Sequence, residues 1–143
     1  MRIKVLLVDD ELEFVEMLSE RLAARGFSVS KAWDGRQALL RLSEVGPDVV
    51  VLDVQMPGMD GLTVLREIRQ TSPLTEVLML TGHATVESAV EGIRAGAYDF
   101  ILKPAEMRDL VGKIVAAYTR KSGREENIRA AGIEQIMLRR GWD

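Results

Sequence analysis

The chain has 143 residues, 47% of them hydrophobic and 29% charged, with a formal net charge of −3. That suffices for one compact domain with its own core, and the charge gives no electrostatic case for nucleic acid or an anionic membrane. With no cysteine and a single histidine, His83, disulfides, thiolate chemistry and multi-histidine zinc sites are excluded.

The N-terminal "MRIKVLLVDD" has too short an apolar run for a signal peptide or a membrane span, so a cytoplasmic setting is expected. Residues 3–8 form the first of five short apolar runs, read as strands. Leu12, Val15, Leu18 and Leu22 follow at helical spacing, and Gly26 stands where a C-terminal cap belongs. Residues 27–32 predict a second strand, with Trp33 surface-facing or half-buried near its end. Asp34 and Gln37 make a capping-box pattern before the stripe of Ala38, Leu39 and Leu42, which Gly46 closes. Residues 49–52 predict the third strand. Asp60 precedes a helix with Leu62, Leu65 and Ile68. Residues 77–80 predict the fourth strand, followed by a stripe of Val86, Val90 and Ile93 and by Gly96. Residues 100–102 predict the fifth strand, and Leu110, Ile114 and Ala117 mark the fifth helix. The first and third runs are apolar on successive positions, as in strands buried on both faces. Five alternations of strand and helix imply a doubly wound α/β fold with a parallel sheet.

The repeating unit ends near Arg120, which sets one domain at 1–120 and a tail at 121–143. Ser122-Gly123 predicts a break, and residues 124–140 a further helix capped by Gly141. Its stripe of Ala130, Ile133, Ile136 and Met137 is narrow, and Gly132 weakens it. Such a short helix needs something to pack on. Docking on its own domain is expected, with a homodimer contact as the weaker alternative.

In an open parallel α/β sheet, ligands bind beyond the carboxyl ends of the strands. Asp9 and Asp10 follow the first strand, Asp53 the third, Thr81 the fourth and Lys103 the fifth. Singly, each has a plain structural role. Asp10 with Glu13 would cap the first helix, Asp53 would begin a turn, Thr81 would bond a loop amide, and Lys103 would be solvated. Together they fall on one edge, where chance would scatter them over both. Three converging carboxylates repel unless neutralised, so a hard cation with oxygen ligands, Mg²⁺ or Mn²⁺, is expected. A lysine, a hydroxyl and a metal around a carboxylate make a receptacle for a phosphoryl group, with Asp53 as the nucleophile.

At this point the chain resembles the receiver domain of bacterial two-component response regulators. The resemblance covers about residues 1–118 and rests on "VLLVDDE", "VVVLDVQMPGMDG", "LMLTGH" and "GAYDFILKP" in that order. It implies a flavodoxin-like (βα)5 fold with strand order 2-1-3-4-5. It implies that Asp53 accepts a phosphoryl group from a histidine kinase's phosphohistidine, or from a phosphotransfer protein. Asp10 would bind Mg²⁺ directly, Asp9 mainly through water, and Gln55 through its backbone carbonyl. Thr81 and Lys103 would contact the phosphoryl group, with a cis peptide before Pro104. Phe100 stands at the switch-aromatic position; Tyr98 does not. The output face would be the fourth helix, fifth strand and fifth helix, acting on a downstream protein. The resemblance implies a signalling domain, not an enzyme; from the charge balance, no nucleic acid or membrane contact through this chain is expected. Residues 81–104 resemble receivers of σ54-type activators most. Ala105 departs from the phenylalanine common after Lys-Pro, which affects contacts of the fifth helix. His83 is expected to shape access to the site, and Met56 and Met59 to pack in the loop.

Three rivals remain. A haloacid-dehalogenase-type phosphatase also uses an aspartyl nucleophile and Mg²⁺, but needs an acid two residues later, where Gln55 stands. A nucleotide-binding domain would need a G-x-G-x-x-G or a P-loop, and neither is present. A phosphate-independent interaction module leaves the complete acidic set without a purpose.

Overall fold

The computed structural model describes residues 2–56, 60–82 and 85–139. Met59, His83, Arg140 and Gly141, which the sequence reading assigned roles, lie outside the described residues. Strands and helices alternate as β1 (Lys4–Val8), α1 (Leu12–Ala24), β2 (Ser28–Ala32), α2 (Gly35–Val45), β3 (Val49–Asp53), α3 (Gly61–Thr71), β4 (Glu76–Thr81), α4 (Val86–Arg94), β5 (Asp99–Leu102) and α5 (Met107–Arg139). The sheet is parallel throughout, in the order β2-β1-β3-β4-β5. This is the predicted flavodoxin-like arrangement.

The core lies in two layers. On one face, Val5, Leu7, Val51 and Leu80 pack against Val15, Leu18 and Leu22 of α1 and Leu110, Ile114 and Ala117 of α5. On the other, Leu6, Val8, Val50 and Leu52 pack against Ala38 and Leu42 of α2 and Val64, Leu65 and Ile68 of α3. Every residue of β3 and β4 is buried, which is why their sequences do not alternate.

The helix ends follow their local chemistry. Asp34 accepts the Gln37 amide, but the Gln37 side chain reaches back to the Trp33 amide, not to that of Asp34. Asp60 accepts the Leu62 amide. Gly26, Gly46 and Gly96 have φ of 94°, 60° and 109°, the left-handed region that glycine adopts without strain. Asp10 does not cap α1. Glu11 holds the cap position without a side-chain bond, which leaves the Asp10 carboxylate for the cleft.

Two expectations are corrected. Val86, Val90 and Ile93 do not face the sheet: they are 82%, 41% and 45% exposed. Gly92 is the residue of α4 that is buried, and it sits against the Met79 side chain. The predicted break at Ser122-Gly123 is absent, because α5 runs unbroken through both residues to Arg139. Ion pairs on either side of the glycine hold it helical: Arg120 and Lys121 before it, Arg124 after it. They offset the roughly 1 kcal/mol that glycine costs inside a helix.

Gly61 opens α3 in close contact with the loop after β3. A Cβ there would stand 2.4 Å from the Val54 Cα, which is backbone and cannot rotate away. Gly61→Ala should therefore cost about 2 kcal/mol in urea unfolding. Gly46→Ala, which meets open space at φ 60°, should cost about 1 kcal/mol. Equal losses would show that the Val54 loop yields freely.

Candidate functional site

The carboxyl edge of the sheet carries the polar residues. Asp9 directly follows β1, and Asp53 is the last residue of β3. The β1–β3 register pairs Val8 with Leu52, so the two aspartates stand side by side. Each is 4% exposed, and Asp10 beside them is open to solvent. Carboxylate oxygens of Asp9, Asp10 and Asp53 all lie within 4.8 Å of one another.

Two backbone amides steady the buried pair. The Glu11 amide donates to Asp9 Oδ1 at 3.0 Å, and the Gln55 amide donates to Asp53 Oδ1 at 3.1 Å. The outer oxygens face Lys103, whose Nζ lies 2.6 Å from Asp9 Oδ2 and 3.9 Å from Asp53 Oδ2. Glu11 Oε1 is 3.3 Å from the same ammonium, and the Phe14 ring centroid is 4.6 Å from it. Neither Glu11 nor Phe14 stood out in the sequence. Glu11 stands at the N-cap of α1 and Phe14 lies in its first turn, and only the fold brings them to the end of β5. Lys103 is carried just past β5, its amide donating to the Thr81 carbonyl at 2.8 Å, and its bond to Pro104 is cis. Thr81 ends β4 and is 4% exposed. Phe100 is half-buried on the other face of β5 and lines an apolar groove with Val86, Ala89, Val90, Ile93 and Arg94 of α4. Tyr98 instead faces the α5 side, beneath Arg120.

The electrostatics follow from this crowding. Burial pushes the Asp53 carboxyl up from its ordinary 3.8, and the Gln55 amide opposes this. Asp9 and Asp10 push it further up while Lys103 pulls it down, and it ends at about 6. Burial alone would lower the Lys103 pKa. The Asp9 hydrogen bond and the charges of Asp53 and Asp9 outweigh that, so the net shift is upward and the ammonium stays charged. Three hard oxygen donors converging beside one lysine suit Mg²⁺ or Mn²⁺ far better than zinc.

The family model described as the response regulator receiver domain matches residues 5–115. The chain belongs to the response regulator receiver family. Regulatory protein AtoC of Escherichia coli is 42% identical over 107 residues, which is 75% of this chain and 23% of that protein. Transcriptional regulatory protein TrcR of Mycobacterium tuberculosis is 38% identical over 120 residues, 84% of this chain and 47% of that protein. The chain thus spans less than half the length of these two relatives. Among solved structures, NtrX from Brucella abortus in complex with ADP matches with a TM-score of 0.83 at 34% identity, over 88% of this chain and 29% of that one. A CheY-like receiver domain protein from Methanospirillum hungatei matches with a TM-score of 0.82 at 26% identity, over 87% and 99%. A receiver is a phosphoacceptor signalling module, not a classical enzyme, and the pocket of Asp9, Asp10 and Asp53 is its acidic site. Membership implies a cognate histidine kinase.

The raised Asp53 pKa has a stability consequence. A carboxyl whose folded pKa exceeds its unfolded value costs nothing below about 3.8, and its cost is fully developed above about 6. Asp53→Asn should therefore be more stable than the wild type at pH 8 without metal, on the order of 2 kcal/mol. That advantage should shrink as the pH falls through 6 and vanish near 4. Urea midpoints in EDTA across this range test it, and equal midpoints at pH 8 would refute it.

Proposed function

We propose that Asp53 accepts a phosphoryl group from the phosphohistidine of a cognate histidine kinase or phosphotransfer protein. The observation that supports this best is the placement of its carboxylate: fixed at the tip of β3, grouped with Asp9 and Asp10, and 3.9 Å from the Lys103 ammonium. A carboxylate oxygen attacks phosphorus, the phosphorus–nitrogen bond breaks, and its electron pair returns to the departing imidazole.

Asp9, Asp10, Asp53 and the Gln55 carbonyl would hold the Mg²⁺ or Mn²⁺. When bound, the cation neutralises the carboxylates and the phosphoryl oxygens at once. Lys103 brings its positive charge to the phosphoryl group, and Thr81 donates its hydroxyl to a phosphoryl oxygen. New acceptor oxygens at Asp53 favour the state in which Thr81 lies inward. Phe100 then repacks against α4, and the face of α4, β5 and α5 signals to a downstream protein. A haloacid-dehalogenase reading finds no support, since the position two residues after Asp53, where that reading needs an acid, is Gln55. Among the described residues, no helix is long and apolar enough to cross a membrane, and a cytoplasmic setting suits exchange with a histidine kinase.

Incubation with a small phosphodonor and Mg²⁺, followed by mass-spectrometric mapping, should place one phosphoryl group on Asp53. Asp53→Asn should lose the adduct, and Asp10→Asn should bind Mg²⁺ at least tenfold more weakly by calorimetry. Labelling of His83, or equal Mg²⁺ affinity in Asp10→Asn, would overturn the reading. Thr81→Ala should still be labelled, but the phosphorylation-induced change in amide exchange over residues 86–100 should largely disappear. A full change in that variant would remove Thr81 from the link.

A further inference from the structure

The edge of the sheet opposite the acidic pocket carries a second, unrelated ionic cluster. Glu76 opens β4 and its side chain is 1% exposed. Three guanidiniums surround it. Arg69 of α3 lies 3.2 Å from Oε1, Arg124 of α5 lies 3.4 Å from the same oxygen, and Arg120 Nε lies 2.8 Å from Oε2. The Arg120 contact is off hydrogen-bond alignment, so among the described residues Oε2 is held by charge alone. The same arginines also donate to backbone, Arg69 to the Thr75 carbonyl at 2.6 Å and Arg124 to the Pro73 carbonyl at 3.2 Å. Alongside, Lys121 reaches Asp48 at 2.8 Å and Glu125 at 2.9 Å, while Asp48 also accepts the Lys4 amide at 2.8 Å.

The α5 residues that make these contacts, Arg120, Lys121, Arg124 and Glu125, lie beyond the match to the receiver family, which ends at residue 115. The contacts bind one and a half turns of α5, residues 120–125, to Glu76 of β4, to the loop before it at Pro73 and to Asp48 just ahead of β3. Beyond Glu125, every described residue of the helix is exposed, including Ile128, Ile133, Ile136, Met137 and Leu138. Fourteen residues with no packed face do not hold a helix alone in water, because nucleation is unfavourable and no burial compensates it. They inherit their first turns from the anchored segment.

We propose that Glu76 is a clasp: it makes residues 120–125 a working part of the receiver and projects residues 126–139 as a helical arm. The working boundary then falls after Glu125, not at Arg120. A buried carboxylate is the right anchor for this task. Removing it leaves three guanidiniums crowded together without a counter-charge, so the helix should leave the sheet and not merely lose one bond. The clasp does not depend on phosphorylation of Asp53.

Amide hydrogen exchange on the full chain tests the proposal, comparing wild type with Glu76→Gln and with the double variant Arg120→Gln/Arg124→Gln. Wild-type amides at 120–130 should exchange slowly. In both variants protection there should fall at least tenfold, while β1, β3 and β4 keep theirs. The double variant alters two partly exposed side chains, so it stays decisive even if Glu76→Gln also loosens the sheet. Because the chain has no cysteine, Glu134→Cys gives a single site for a fluorescent label. Its anisotropy should report an arm tumbling with the receiver, and local motion should rise in the double variant. Unchanged protection at 120–130 and unchanged anisotropy in the double variant would overturn the clasp.

Discussion

Two like charges placed side by side at the ends of adjacent buried strands set the terms for the rest of this molecule. Asp9 and Asp53 cannot move apart, because β1 and β3 are locked in register along four residue pairs. At about 4 Å and an effective dielectric near 20, such a pair repels by roughly 4 kcal/mol. The fold carries that cost permanently, which makes the pocket a standing demand for positive charge. In this structure Lys103 meets part of it, closer to Asp9 than to Asp53. A lysine alone leaves the pocket negative, an excess consistent with the Mg²⁺ site of a receiver.

Holding the charges requires a stiff frame. β3 and β4 are buried along their whole length, with helices on both faces. Strands buried in this way bend little, so the side chains at their tips are placed by the whole core and not by the loops. The loops supply fine alignment through the Glu11 and Gln55 amides. Gly61 lets the start of α3 sit directly against the Val54 backbone, next in the chain to Asp53. The two ends of the sheet therefore do different work. One gathers three carboxylates beside a single lysine, while the other surrounds the Glu76 carboxylate with three guanidiniums.

Much of this was legible from the residues. The strand sites, the parallel sheet and the carboxyl-edge cluster follow from uninterrupted apolar runs alternating with helical stripes and punctuated by acids, a threonine and a lysine; the strand order comes only with the family resemblance. Glycine caps and the Asp34 and Asp60 caps are local signals, and local signals survive folding. Contacts between distant segments left no such trace. Lys103 meeting Glu11 and Phe14 depends on α1 and β5 approaching in space. Glu76 looks like an ordinary polar strand start until α3 and α5 close over it. Ser122-Gly123 misled because local propensity favours a break, and tertiary ion pairs from Arg120, Lys121 and Arg124 overrule it. The stripe on α4 misled in the other direction: helical period shows that a helix has an apolar side, not which way that side points.

That outward stripe has a mechanical consequence. A helix seated through its apolar side must unmake its burial in order to shift, and each large side chain withdrawn costs about 2 kcal/mol. α4 is seated through Gly92 against the flexible Met79 side chain, with Val86, Val90 and Ile93 already in contact with water. Sliding or tilting it forfeits little core. Among the five helices it is the one with a single buried residue, Gly92, so it sits in a shallow well. The same apolar residues that do not hold α4 down stay available for contact in either position.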